Sequence, residues 1–216
     1  MSKKRNTPAH GRQAARSRRP RKKRFLVVAG GAVTERQYFK RLESIYDIVI
    51  DYQQKNRSPE QLAEFAVSLK EEDKHDTSTD CYEQIWLVVD ADDFHDHGKA
   101  AKICKDNGIE LIISNPCFEV WLLDHMKACP PSYTLTPDVE SAAARAGIVG
   151  GNRNKYVNDE LIDSEHLDAA IRNAARHNTA ENSQGRNKLT PYHEQDYAPW
   201  TDMPKVIETL KSNKQS

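Results

Sequence analysis

The residues best suited to chemistry lie in Val88-Val89-Asp90-Ala91-Asp92-Asp93-Phe94, where an apolar run ends abruptly in carboxylates. Asp90 and Asp92 are hard oxygen donors. Mg²⁺ takes one or two such carboxylates and completes its shell with water and phosphate oxygens. A cation held this way orients water and stabilises charge in phosphoryl transfer. The competing reading is that the acids cap the following helix. An Asp-x-Asp pair alone does not separate the two. Its place after a buried strand favours the metal site, because parallel α/β sheets build their sites where strands end.

Two further acids belong to the same question. Glu35 stands five residues beyond Gly30, at the start of a helix, and Glu119 opens the helix that follows Ser114-Asn115-Pro116. If the first and third strands are neighbours, Glu35 approaches Asp90 and Asp92; Glu119 can face the same edge. Each acid has an equally good role as a helix-dipole partner, worth ~0.3–1 kcal/mol. His95 and His97 bracket Asp96. Histidine suits Zn²⁺, Mn²⁺ or Fe²⁺ better than Mg²⁺, and an exposed polar loop is the favoured reading of this stretch. There is no Ser-His-Asp or Cys-His signature. Neither Gly30-Gly31 nor Gly150-Gly151 leads into the Gly-Lys-Ser/Thr of a phosphate loop.

The elements that must position these residues follow from periodicity. Arg24 to Ala29 is a short apolar run of the kind that forms a buried parallel strand. A helix follows, with Thr34 and Gln37 spaced as a capping box and Tyr38, Leu42 and Ile45 on one face. Asp47 to Tyr52 reads as a second strand. Ser58-Pro59-Glu60-Gln61 is a strong helix start, leading to Leu62, Phe65, Ala66 and Leu69 on one face. Strands at 85–90 and 109–113 enclose a helix near 98–107, and a further helix carries Phe118, Trp121, Leu122 and His125. This alternation predicts a parallel sheet with helices on both faces over residues 24–128. From 129 the pattern turns helical, at 138–146, at 164–177 and in a last helix capped by Thr201, with loop over 181–200.

Equal numbers of Lys plus Arg and Asp plus Glu, 32 each, conceal an asymmetry. Residues 1–24 hold eleven basic side chains and no acid, which leaves 21 basic and 32 acidic side chains on the rest. Residues 1–23 read as a disordered basic tail. Arg18, Arg19, Arg21, Lys22, Lys23 and Arg24 are its candidates for phosphate contacts, through counterion release; a solvated extension is the equal alternative. The four cysteines match no zinc or redox spacing, and Cys104 and Cys117 read as small core residues. No apolar run reaches the ~20 residues that span a bilayer, and the basic start lacks a secretory apolar stretch. The expected location is the cytoplasm.

Three segments resemble the RloB-like family, associated with abortive infection and phage defence in bacteria. They are Val33-Thr34-Glu35-Arg36-Gln37-Tyr38-Phe39, Val89-Asp90-Ala91-Asp92-Asp93-Phe94 and Ser114-Asn115-Pro116-Cys117-Phe118-Glu119-Val120-Trp121-Leu122; Lys155-Tyr156 and the last helix are a weaker fourth match. The resemblance implies a Toprim-like α/β fold with a helical C-terminal region. It implies Mg²⁺ or Mn²⁺ held by Asp90, Asp92, Glu35 and Glu119, with Glu35, Asp90 and Asp92 catalytic. It further implies action on DNA or RNA and an ATPase partner. In one place the chain departs from the pattern: where it has Glu-Gly ahead of Thr-Glu, this chain has Gly30-Gly31. The glutamate expected to act as acid/base is absent, so a non-catalytic binding subunit is the alternative function.

Overall fold

A computed structural model describes residues 21–91, 93–182, 184 and 188–214. Four parallel strands form the centre: β1 (Arg24–Ala29), β2 (Val49–Gln54), β3 (Gln84–Asp90) and β4 (Glu110–Asn115). Their spatial order is β2-β1-β3-β4, completed by a short antiparallel strand, β7 (Trp200–Thr201), against β4. The predicted parallel α/β sheet is therefore the observed one.

Alternation along the strands divides the core in two. Phe25, Val27, Trp86, Val88 and Ile112 face one side, and Leu26, Val28, Leu87, Val89 and Ile113 the other. Helices α2 (Pro59–His75) and α3 (His97–Asp106) cover the second side with Leu62, Ala63, Ala66, Ala100 and Cys104. The first side is covered by α1 (Thr34–Tyr46), α4 (Glu119–Asp124), α6 (Ser164–His177) and α7 (Met203–Lys214). Phe25 stacks on Trp86 there, ring centroids 5.2 Å apart. Helix α5 (Thr136–Arg145) packs with α4 in a third, smaller cluster. A two-stranded ribbon, β5 (Val149–Gly150) with β6 (Tyr156–Val157), stands apart from the sheet.

Local signals succeed or fail for identifiable reasons. The Ser58–Gln61 capping box forms as expected. The one expected at Thr34 does not, because both side chains find partners on the ribbon. Thr34 Oγ1 donates to the Lys155 carbonyl at 3.3 Å, and Gln37 Oε1 accepts from Val157 N–H at 3.0 Å. Trp200, at the end of the stretch read as loop, joins the sheet with the neighbouring Thr201, and Ser114 Oγ meets Thr201 Oγ1 at 2.8 Å. Thr201 Oγ1 also accepts from Met203 N–H at the start of α7. Cys104 and Cys117 are buried as expected. Among the described residues no helix is long and apolar enough to cross a membrane.

Candidate functional site

The strand order decides where a site can form. From β1 the chain moves to β2 on one side, then crosses back to β3 on the other. The crevice beyond the C-terminal ends of β1 and β3 is thus the topological switch point, where such sheets bind ligands. An open cleft of about 950 Å³ lies there. Gly30 and Gly31 from the β1–α1 loop line it, with Glu35 from the first turn of α1 and Asp90 from the end of β3. Asp93, Glu119, Glu140, Lys155, Arg57 and Gln195 are among its other polar lining residues.

Each acid is placed by backbone structure. At the end of β3, Ala91 N–H donates to the carbonyls of Ser114 and Pro116, both at 3.1 Å, and His97 Nε2–H donates to the Asp90 carbonyl at 2.7 Å. His97 is consequently buried, not part of an exposed loop. The backbone acceptor at Asp90 draws it in. Its Nδ1 faces Glu194 at 4.0 Å, while the exposed His95 reaches the same carboxylate at 3.2 Å. Asn115 then ties down the segment bearing Glu194, its amide donating to the Glu194 carbonyl at 3.1 Å. The Ser-Asn-Pro stretch therefore braces the strand end through backbone contacts.

Glu35 folds back over Gly31. A methyl group at position 31 would fall 1.7 Å from its Oε1, so that position must be glycine for the carboxylate to sit there. The loop beneath is clamped from β2: Tyr52 OH donates to the Gly31 carbonyl at 2.7 Å, and Gln54 Nε2 to that of Gly30 at 3.0 Å. A Cβ at Gly30, by contrast, would meet open space.

The electrostatics link the acids. Burial pushes the Glu35 carboxyl up to about 7; its own backbone N–H works against this, and the nearby charge of Glu119 adds to it. Glu35 and Asp90, after burial, both raise the Tyr52 hydroxyl. Glu119 and Asp90, again after burial, both raise the buried Cys117 thiol. Glu35, Asp90 and Glu119 thus share one field. A buried carboxyl of raised proton affinity, set beside other acids in a cleft, is a candidate functional group.

Lys155, on the ribbon next to β6, reaches into this group. Its Nζ lies 2.9 Å from Glu140 and 3.6 Å from Glu119. It stays firmly protonated: burial opposes its charge, but the bond to Glu140 and the charges of Glu119 and Glu35 outweigh it.

Of the residues singled out by sequence, the structure brings together Glu35, Asp90 and Glu119; Asp92 lies outside the described residues. Among the described residues no three His, Cys, Asp or Glu side chains are already gathered around one point as metal ligands. The carboxylates of the cleft fit a hard cation; the one sulfur in the described lining, the Cys117 thiol, is held protonated by burial, and the buried His97 nitrogen bonds the Asp90 carbonyl outside the lining.

The described members of the basic N-terminal stretch lie elsewhere. Arg18 and Arg19 fall outside the described residues. Arg21 pairs with Asp80 at 3.2 Å and Lys22 with Asp47 at 2.6 Å, while Lys23 bonds Asn213. Arg24 bridges Asp51 and Asp73 at 3.0 and 3.1 Å, with its guanidinium over the Tyr82 ring. These positions are at the start of β1, the opposite edge of the sheet from the cleft. Sequence reasoning missed Tyr52, Gln54 and the buried role of His97, and noted Lys155 only within a weak match. No local pattern marks them: Tyr52 and Gln54 act across 21 and 24 residues, and His97 reaches back seven, beyond any helical or strand spacing.

This parallel sheet, with carboxylates at its switch point, defines an α/β protein with an acidic cleft at the C-terminal strand edge. The model of the RloB-like protein family matches residues 25–210, and the chain belongs to that family. No curated protein and no solved structure matches it.

Proposed function

We propose that the cleft binds Mg²⁺ or Mn²⁺ and hydrolyses phosphodiesters of DNA or RNA, as a Toprim-like nuclease of an abortive-infection system. The observation carrying this reading is the meeting of Glu35, Asp90 and Glu119 at the switch point. Asp90 with Asp92, Glu35 and Glu119 would hold the cation. When bound, it would supply Lewis-acid stabilisation and lower the pKa of water. Lys155 and the exposed Arg57 offer positive charge to a phosphate at the same mouth. Arg18, Arg19 and Arg21 to Arg24 are the proposed source of non-specific affinity; for Arg24 to contribute it would have to leave Asp51 and Asp73.

Incubation of purified protein with DNA and RNA under Mg²⁺ or Mn²⁺ tests the activity. Cleavage is expected, and it should disappear in Asp90→Ala with Asp92→Ala. Cleavage unchanged by that pair would contradict the reading.

One observation favours a second reading, a catalytically degenerate subunit that binds nucleic acid or an ATPase partner. The family's acid/base position is Gly30, and no other side chain fills the space its Cβ would enter. A side chain can therefore begin at position 30 without a clash at its Cβ, which makes Gly30→Glu a usable variant. Nuclease activity that appears only in Gly30→Glu supports the degenerate reading; equal activity in both proteins contradicts it.

A further inference from the structure

Beside the end of β3 lies a second group of donors, which the cleft does not use. His95 and His97 come from the turn into α3, and Glu194 from the segment before β7. The Glu194 side chain is 2% exposed and that of His97 fully buried. His97 Nε2 meets the Asp90 carbonyl at 2.7 Å; a carbonyl only accepts, so Nε2 carries the proton. In the neutral ring Nδ1 then holds a free electron pair. It faces Glu194 Oε1 at 4.0 Å, too far for a hydrogen bond. Neither atom has a hydrogen-bond partner among the described residues. Two buried polar atoms left unpaired across a gap cost stability unless something fills it. On the other carboxylate oxygen, His95 Nδ1 stands at 3.2 Å.

We propose that His95, His97 and Glu194 form a Zn²⁺ site, separate from the acidic cleft and independent of the function proposed for it. Two imidazoles and a carboxylate suit Zn²⁺ and not Mg²⁺. Ligands about 2.1 Å from a tetrahedral ion stand about 3.4 Å from one another. The two nitrogen–oxygen separations, 3.2 and 4.0 Å, bracket that spacing. His97 has the outer support of a metal-bound histidine, since its far nitrogen donates to a backbone carbonyl. The backbone of Glu194 is held by the Asn115 amide at 3.1 Å. Among the described residues the three donors do not yet surround one point. His95 is the member able to close, because its side chain is 46% exposed and leans on the exposed Tyr192 ring. A water would take the fourth position, on the His95 side. The ion would tie the strand end bearing Asp90 to the segment bearing Gln195, which lines the cleft.

The test is Zn²⁺ titrated, against a chromophoric chelator, into metal-stripped full-length protein. Wild type should bind it. Glu194→Gln and His95→Ala should each weaken the tightest-bound ion by more than about tenfold, the scale of losing even an outer-shell partner. Asp90→Ala with Asp92→Ala should leave it unchanged, because His97 uses only the Asp90 backbone. Thermal melts without metal check folding, and the exposed His95 is the variant least able to disturb it. X-ray absorption of the Zn²⁺ protein should show imidazole nitrogen around the ion. No Zn²⁺ bound by wild type would reduce the gap to a water-bridged pair and overturn the site. Binding lost in the double aspartate variant but kept in His95→Ala, or a spectrum without imidazole, would place the ion elsewhere and overturn it as well.

Discussion

The two edges of the sheet use the same chemistry to opposite ends. At the start of β1, Arg24 meets Asp51 and Asp73, and Tyr82 stacks on its guanidinium and donates to Asp51 at 2.6 Å. Each charge there has a partner. At the far end of the same strand Glu35, Asp90 and Glu119 line one cleft, and Lys155 stands 3.6 Å from Glu119. Burial, with the charge of Glu119 adding to it, pushes the Glu35 carboxyl up to about 7. The first cluster stabilises the fold, whereas burying Glu35 beside Glu119 costs stability once it ionises. That contrast distinguishes the two acidic groups better than their composition does.

Substitutions at the two edges should therefore move stability in opposite directions. Arg24→Met leaves Asp73, whose side chain is only 9% exposed, without its cation. Breaking a fully buried pair costs about 3–5 kcal/mol, and partial exposure reduces this to about 2–4. Urea denaturation should register the loss, and an unchanged midpoint would make the edge merely decorative.

Glu35→Gln should act the other way, and only at higher pH. The Glu35 carboxyl is raised from 4.5 to about 7 by burial first, then by Glu119. Folding therefore takes up a proton between those values. The group imposes no penalty below the unfolded pKa, destabilises progressively as pH rises through the window, and has its full cost above about 7. At about 1.4 kcal/mol per unit, Gln should stabilise by up to roughly 3 kcal/mol at pH 8 and by almost nothing at pH 4. Equal melts of variant and wild type at pH 8 would dismiss that cost.

Filling the cleft should relieve the same cost without mutation. An ion present at 100 times its dissociation constant stabilises by about 2.7 kcal/mol. Thermal melts with Mn²⁺ should rise at pH 8 and rise less at pH 5, where the ion must displace a proton from Glu35. A rise that ignored pH would exclude Glu35 from the site.

The smallest effect sharpens the comparison within the cleft itself. Gly31→Ala drives a methyl into the Glu35 carboxylate, whereas Gly30→Ala meets open space. The first should weaken Mn²⁺ binding on the order of tenfold, the scale of losing a ligand's support; the second should leave it alone. Equal affinities in the two would mean that Glu35 does not depend on the loop.

Much of this was legible in sequence because it is local. The apolar runs of β1, β3 and β4 and the Ser58 capping box are written in neighbouring residues, and alternation with helices implied the parallel order. Asp90 followed, since a carboxylate at the end of a buried strand can lie only at the sheet's edge. What was not legible comes from partners that no helical or strand period brings together. Thr34 and Gln37 spell a capping box, but the ribbon more than 110 residues later captures both. His97 looked like loop because nothing nearby reveals that the Asp90 carbonyl will bind it. Lys155 lies in a short polar stretch whose meaning depends on where the ribbon docks.

The central claim is that Glu35, Asp90 and Glu119 form a divalent-cation site at the switch point. Anomalous diffraction from a crystal soaked in Mn²⁺ at pH 8 tests it most directly. The account predicts a peak beyond the ends of β1 and β3, within coordination distance of Asp90 and Glu35 and beside Lys155. A peak confined to the Arg24 edge, or none in the cleft at saturating Mn²⁺, would contradict it.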